Sequence, residues 1–198
     1  RGAMCIRDRG WSDGAAPSGG KDYIVQKNRI LRTAGKGGVF AGRSLTLDNG
    51  RIKTAGDADG YTLTVNDLRL HGGRLEQSTG GSTKTVAGTI HVLGTAANPS
   101  RFSGSSGRTF QIDSKLEGAE SGVVKVMMTE EDSGAMSAVF FDCWFNAENA
   151  ATYRGCFRVE AGETTTGWGH SVALCASKLS NLGAGDPDAA YPVVTLKE

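Results

Sequence analysis

Residues 45–52 read LTLDNGRI, and residues 68–75 read LRLHGGRL. Both octets follow the pattern L-x-L-x-x-G-R-[IL], and the second begins 23 residues after the first. A shorter copy begins 22 residues later at Ile90, and a fourth begins 20 residues after that at Phe110. Self-similarity at this period is typical of a solenoid, in which each repeat forms one coil.

A single coil cannot bury its own apolar side, so stacked coils must share a core. The alternating apolar residues of each copy predict two interior columns. We expect Leu45, Leu68, Ile90 and Phe110 in the first column, and Leu47, Leu70, Val92 and Ile112 in the second. Glycine near the end of each copy predicts a corner with positive φ. The predicted fold is all-β, a single-stranded right-handed parallel β-helix with capped ends, its hand following the bias of parallel crossovers.

Composition agrees with this fold. Glycine makes up 29 of the 198 residues, which is about twice its usual share, and helical periodicity is almost absent. Short apolar runs bounded by Gly, Asn, Asp and Ser recur along the chain, as expected for strands joined by tight turns. The runs are residues 23–25, 44–47, 61–65, 68–70, 89–92, 109–112, 123–128, 138–145, 156–159, 172–175 and 193–196.

The chain is long enough for one domain, and we expect a single β-helix domain over residues 1–198. The period weakens after residue 118, and aromatic residues become more frequent over residues 138–159. An open end of a solenoid exposes strand edges and core, so both ends need cover. We therefore predict an N-terminal cap over residues 1–38, regular coils over residues 39–118, and less regular coils with a C-terminal cap over residues 119–198.

The net charge excludes some partners. The chain holds 22 Lys and Arg against 21 Asp and Glu, and it has no apolar run of transmembrane length. We therefore expect no nucleic-acid partner and no membrane insertion. Residues 1–53 nevertheless hold 11 basic and 4 acidic residues, and the remainder is net acidic. We expect the two parts to pair with each other; the alternative is that a basic N-terminal face docks an anionic polymer.

Residues 11–17 (WSDGAAP), 22–25 (DYIV), 31–33 (LRT) and 40–47 (FAGRSLTL) resemble the opening of exported bacterial proteins with autotransporter-associated β-strand repeats. In that family a W-S-x-G-x-x-P segment precedes a first coil of the F-x-G-x-S-L-x-[LI] type. The resemblance covers about residues 11–94. It implies a pectin-lyase-like right-handed β-helix on a secreted or cell-surface bacterial protein, and it supplies no catalytic residues. We expect the chain to be a fragment of a larger exported protein, because its first residues show no signal-peptide pattern.

These observations predict a structural or adhesive module that contacts a polysaccharide or cell-surface glycan. One alternative is a polysaccharide lyase or glycoside hydrolase of the β-helix type, and another is a passive spacer without a ligand. Inverting hydrolysis needs two carboxylates about 6.5–9.5 Å apart. The sequence identifies no such pair, so we assign no catalytic residue. Two or more carboxylates beside Arg or Lys on one outer face would favour the enzyme.

The candidate sugar-binding residue is Trp168, which lies in a glycine-flanked, threonine-rich segment. Exposed aromatic rings stack on the apolar faces of sugars, and the neighbouring His170 would hydrogen-bond to sugar hydroxyls. Trp11 and Tyr153 are further candidates of the same kind. The alternative is that Trp168 packs over the end of the core.

Two acidic segments are candidate calcium sites, and calcium is the only cofactor we consider. The first contains Asp57 and Asp59 before Gly60, and the second contains Glu130, Glu131 and Asp132. Oxygen ligands of this kind suit Ca²⁺, although neither segment has the complete spacing of a calcium loop. The alternative for both is a solvated turn.

Three further features leave alternatives open. The cysteines Cys5, Cys143, Cys156 and Cys175 contain no C-x-x-C pair, so we expect buried thiols, or a disulfide such as Cys143–Cys156. Asp142 lies inside an apolar run and is expected to point to solvent, a buried carboxylate being the alternative. His71 and His91 are expected to be surface residues, with a two-histidine metal site as the alternative.

Overall fold

The computed structural model describes residues 11–12, 14–33, 37–54, 60–77, 83–105, 107–128, 139–160, 170–183 and 194–197. These residues form sixteen strands and one short 3-10 turn, Leu179–Leu182. In chain order the strands are β1 (Asp22–Gln26), β2 (Ile30–Arg32), β3 (Gly38–Val39), β4 (Ser44–Asp48), β5 (Arg51–Thr54), β6 (Tyr61–His71), β7 (Arg74–Gln77), β8 (Thr83–Val92), β9 (Ser100–Gly104), β10 (Arg108–Ile112), β11 (Lys115–Glu117), β12 (Val123–Met128), β13 (Val139–Phe145), β14 (Cys156–Glu160), β15 (His170–Ala176) and β16 (Val194–Lys197).

The strands alternate along the chain between two sheets, except that β3 and β4, and likewise β10 and β11, both belong to the first sheet. The first sheet has the order β1-β4-β6-β8-β10-β13-β15, and the second has the order β16-β14-β12-β9-β7-β5-β2. Each coil contributes to both sheets, so neighbouring strands come from successive coils and pair in parallel. The prediction of an all-β, parallel solenoid is confirmed.

The first sheet carries two outer surfaces. The register of β6 with β8 shifts between Val65 and Leu68, which divides both long strands into two halves. The first halves stack with β3, β10, β13 and β15, and the second halves stack with β1, β4 and β11. We call the outer surface of the first stack face A, that of the second stack face B, and that of the second sheet face C.

The core contains the predicted columns over the first repeats. Leu45, Leu68 and Ile90 lie in register on successive strands and have no exposed surface. Leu47, Leu70 and Val92 form the second column in the same way. A third column, made by Ile52, Leu75 and Phe102, closes the core from the second sheet. The apolar alternation of the repeat therefore fixes which side chains point inward.

The predicted places of Phe110 and Ile112 in these columns are wrong. Phe110 pairs with Lys84 and Ile112 pairs with Val86, so both lie behind face A. The position next to Ile90 belongs to Leu116 instead. The cause is the long turn over residues 93–99, which adds residues to this coil. Phe110 therefore lies beside Lys84, earlier on β8 than the predicted position beside Ile90.

The repeat glycines also differ from expectation. Positive φ occurs one residue earlier, at Asn49 (54°) and Gly72 (65°). Gly50 and Gly73 are needed for close approach: a Cβ on Gly50 would lie 2.2 Å from the Val25 carbonyl oxygen, and one on Gly73 would lie 2.3 Å from Leu47 Cβ. The coils therefore pass each other at this corner with no room for a side chain.

Regular pairing extends beyond residues 39–118. β1 and β2, inside the segment predicted as the N-terminal cap, already pair with the next coil. At the other end β14 and β16 continue the second sheet. None of the helical structure in the described ranges has the length and apolar character needed to cross a membrane.

The described cysteines are free thiols. Cys143 is fully buried behind face A, whereas Cys156 lies on the second sheet, so the considered Cys143–Cys156 disulfide is not formed in this structure. Burial raises the pKa of the Cys143 thiol well above its ordinary value. Cys143 is therefore a neutral core residue.

Candidate functional site

Most of the residues predicted to bind a ligand lie where the structure gives no description. Outside the described residues are Trp168, Asp57, Asp59, Glu130, Glu131 and Asp132. His170 begins β15, and its backbone pairs with Val139. These sugar-binding and calcium-binding assignments therefore remain predictions.

Tyr153 and Trp11 are packed against the core. Tyr153 has no exposed surface, and its hydroxyl donates to the carbonyl oxygens of Gly122 (3.2 Å) and Cys156 (3.0 Å). Burial raises the pKa of the Tyr153 hydroxyl, which keeps it a neutral donor. Trp11 packs edge-on against Tyr23, with ring centroids 4.6 Å apart. As placed, Tyr153 offers no ring to a sugar, and Trp11 is mainly a packing residue.

Face C carries a continuous row of basic side chains. Its members, Arg51, Arg74, Arg101, Lys125 and Arg158, occupy matching outward positions on β5, β7, β9, β12 and β14 and pair in register. Adjacent strands lie about 4.8 Å apart, so the five charges extend over about 19 Å. We call these five residues the basic row.

Members of the basic row have two kinds of partner, carboxylates and backbone carbonyl groups. Glu76, itself buried, accepts from Arg51 and also contacts Lys53, both at 3.1 Å. Lys125 pairs with Glu160. By contrast Arg101 and Arg158 donate to backbone carbonyl oxygens, those of Gly72 (2.9 Å) and Ala96 (3.1 Å). Carbonyl groups hold a guanidinium in place without neutralising it.

Arg74 is the exception within the row. Its guanidinium has no hydrogen bond or ion pair with any other described residue. It lies between Arg51 and Arg101 on neighbouring strands. Like charges placed opposite each other on adjacent strands destabilise a sheet. The position of Arg74 between two like charges is therefore electrostatically costly.

A groove lies beside the part of the row that contains Arg51, Arg74 and Arg101. It has a volume of about 340 Å³ and is lined by four arginines, Arg29, Arg51, Arg74 and Arg101, together with turn residues of successive coils. Beside the groove the Asn98 amide passes Gly72 and donates to Asn49 Oδ1 (2.9 Å), which joins the turns of these coils. The size is within the range of small-molecule sites, and the lining suits an anion.

Face B has a different, mixed charge pattern. The His91 ring lies between two carboxylates, with Nε2 3.3 Å from Asp67 and Nδ1 3.3 Å from Glu117. Arg69 makes a two-point contact with the same Asp67 at 3.0 and 2.9 Å. This cluster thus brings two carboxylates, an imidazole and a guanidinium onto one outer face.

The considered two-histidine metal site is not formed in the described part of the chain. His91 pairs in register with Arg69, and His71 contacts Asp48 instead (3.1 Å). Among the described residues no group of three or more His, Cys, Asp or Glu side chains is arranged to hold a metal ion. The opposed ring nitrogens of His91 point to separate carboxylates, which is an ion-pair geometry.

Sequence reasoning missed the basic row, although a signal for it is present. Arg51 and Arg74 occupy the same position of the octet, and both Lys125 and Arg158 stand between two apolar residues. Such a pattern places a charge on the outer side of a strand. No protein-family model, curated protein or solved structure matches the chain, so the geometry alone bears on function.

Proposed function

We propose that this chain is an adhesive module of an exported bacterial protein, and that it binds an acidic polysaccharide along the basic row. The observation that carries the proposal is the register of five basic side chains on face C. The export and adhesive parts rest on the resemblance of residues 11–94 to exported repeat proteins. The ligand class rests on charge and shape.

The spacing of the row suits a linear polyanion. Charges recur at each of five neighbouring strands and in one line, which matches an extended chain that carries an acidic group on successive sugars. Arginine forms two-point hydrogen bonds with carboxylate or sulfate groups. The groove beside Arg74 would hold the most strongly bound sugar units, because its described lining combines four guanidinium groups with polar turns.

The cost of the arrangement also supports a ligand. Residues selected for binding are often kept at the expense of stability. The Arg74 guanidinium has no hydrogen bond or ion pair with another described residue and sits between two like charges. An anionic ligand would relieve that repulsion on binding.

Single-stranded nucleic acid is a poorer fit. Proteins that bind it combine positive charge with aromatic side chains on which bases stack. In the described strands of face C, none of the outward neighbours of the row is aromatic; they are Ile30, Arg32, Lys53, Glu76, Ser103, Val123, Met127, Cys156 and Glu160. A saccharide backbone needs no such platform.

The first test is the variant Arg74→Ser, measured by isothermal titration calorimetry against polygalacturonate, dextran sulfate, neutral dextran and single-stranded DNA. We expect the unmodified protein to bind at least one acidic polysaccharide, and an excess of neutral dextran should not displace that polysaccharide from the basic row. A charge-assisted contact contributes about 1.5–3 kcal/mol, so Arg74→Ser should weaken binding about ten-fold or more. The affinity should also fall as salt is added.

The matched control is Lys115→Ser, which removes one exposed positive charge from face B. It should leave the affinity within about two-fold of the starting value, a difference of about 0.4 kcal/mol. Equal weakening by both variants would mean that net charge, rather than the row, decides binding. Absence of binding to every acidic polysaccharide would favour a passive spacer, and preference for DNA would contradict the ligand class.

Arg74→Ser also has a predicted effect on stability. Removing the middle charge of three should leave the free energy of unfolding unchanged or raise it by up to about 1 kcal/mol. Urea denaturation followed by circular dichroism measures this. Lower stability of the variant would show that Arg74 is retained for the fold.

The enzyme alternative is favoured by one observation, the pair of carboxylates beside His91 and Arg69 on face B. If the chain cleaves a polysaccharide there, Glu117→Gln should abolish the release of reducing ends and leave binding through face C unchanged. Product formation that survives both Glu117→Gln and Asp67→Asn would exclude this cluster. No release of reducing ends from any bound polysaccharide would leave the adhesive function.

A further inference from the structure

Trp144 is an exposed tryptophan in the middle of a sheet. It lies on β13, in register with Gln111 of β10 and Cys175 of β15, and its neighbours along the strand, Cys143 and Phe145, are fully buried. The side chain therefore points outward on face A, where it is 38% exposed. More than one third of the side chain is therefore accessible to solvent.

Polar groups border the ring. Asp142 lies on the same side of β13, as expected from the sequence, and pairs with Thr109. Asn146 lies two residues beyond Trp144, directly after the end of β13, and donates to Asp113 Oδ1 (2.6 Å). On the neighbouring strand, Gln111 lies beside Trp144. Carboxylates and amides pair with hydroxyl groups, and an aromatic ring packs against apolar C–H surface.

A sugar ring has both properties that this surface complements. One face of a hexose presents C–H groups, and its rim presents hydroxyls. Binding sites generally combine an apolar platform with a few placed polar groups in this way. The platform defined by Trp144, Gln111 and Asp142 has the same composition.

The charge of face A selects between sugar classes. The two outward columns that meet at the platform contain Thr83, Thr109, Asp142 and Ala173, and Thr62, Thr85, Gln111, Trp144 and Cys175. None of these is basic, and burial together with the Asp142 carboxylate raises the pKa of the Cys175 thiol, which keeps it uncharged. An acidic sugar would meet the Asp142 carboxylate without a compensating cation.

We propose that face A holds a second, separate site, in which an uncharged sugar ring stacks on Trp144 and hydrogen-bonds to Asp142 and Gln111. The two sites would then bind different kinds of saccharide. The basic row binds acidic polysaccharide on face C, and the Trp144 platform binds neutral sugar units on face A. The proposal does not depend on the function of the row.

The test is fluorescence titration and calorimetry with neutral hexasaccharides of glucose, mannose, galactose and N-acetylglucosamine. We expect at least one to bind, and Trp144→Ala to weaken it about ten-fold or more. Trp144→Phe should retain part of the affinity, because it keeps a flat ring. Asp142→Asn should change the affinity without abolishing it, since the amide still accepts from a hydroxyl.

Two results would overturn the site. One is the absence of binding to all four neutral oligosaccharides, and the other is unchanged binding by Trp144→Ala with a native circular-dichroism spectrum. Lys115→Ser serves as the matched control, because it changes one exposed residue of face B and lies outside both proposed sites. If Trp144→Ala instead weakened binding of polygalacturonate and Arg74→Ser did not, both the neutral-sugar site and the role of the basic row would be wrong.

Discussion

Replacing Gly73 by alanine is expected to destabilise the solenoid by about 3 kcal/mol, the upper part of the range for overpacking a core. The new Cβ would lie 2.3 Å from Leu47 Cβ and 2.7 Å from the Leu47 carbonyl oxygen. Neither atom can move easily, because Leu47 is fully buried and its strand pairs on both sides. The coils would have to separate at this corner.

The separation would also break bonds between coils. The Gly73 carbonyl accepts from the Arg101 amide (2.9 Å), and the next amide, of Arg74, donates to Gly50 (3.0 Å). Because each coil of a solenoid is stabilised by its neighbours, loss of this contact should also destabilise the adjoining coils. Urea denaturation of the variant measures the change in the free energy of unfolding.

Gly20→Ala is the matched control. A Cβ on Gly20 meets no atom within 4 Å, and its φ is not positive. We expect its free energy of unfolding to stay within about 0.5 kcal/mol of the starting value. If Gly73→Ala were equally mild, the close approach of the coils would not be a constraint on this fold.

Asn149→Ala is expected to cost about 3 kcal/mol, because it leaves two buried polar groups without partners. Asn149 is 1% exposed; its Oδ1 accepts from the Leu116 amide and its Nδ2 donates to the Asn181 carbonyl, both at 2.7 Å. Asn181, one coil further on, is also buried, and its side-chain amide donates back to the Phe145 carbonyl (3.1 Å). The two amides thus tie three coils together at one corner.

The control is Asn146→Ala, which removes an exposed amide with a single side-chain partner, Asp113. Its expected cost is below about 1 kcal/mol. Thermal unfolding monitored by circular dichroism should show a much lower transition temperature for Asn149→Ala than for Asn146→Ala. Similar transition temperatures would mean that water replaces the lost bonds of Asn149.

The sequence predicted the class of fold well, and for a local reason. Apolar residues two positions apart share one side of a strand, and a repeat of that pattern every 22 or 23 residues requires stacked parallel coils. Leu45, Leu68 and Ile90 consequently meet in the structure as predicted. The prediction for Phe110 is wrong because the length of a turn, rather than the strand pattern, decides which part of the circuit a strand joins.

The candidate sites depended on tertiary structure almost entirely. Sequence indicated that aromatic and acidic residues were present, but not that Tyr153 is enclosed by the core. It also gave no weight to Arg51, whose role as one member of a row depends on four other strands. A charge on a strand becomes part of a surface only when the register of its neighbours is set.

The sequence by itself therefore determined the repeat, the inward columns of the first coils and the parallel solenoid, because these follow from short-range periodicity. The tertiary structure decided the three outer faces. The basic row on face C, the His91 cluster on face B and the Trp144 platform on face A all join residues more than 20 positions apart. Their coincidence depends on the lengths of turns and on the register between coils, which no local pattern specifies.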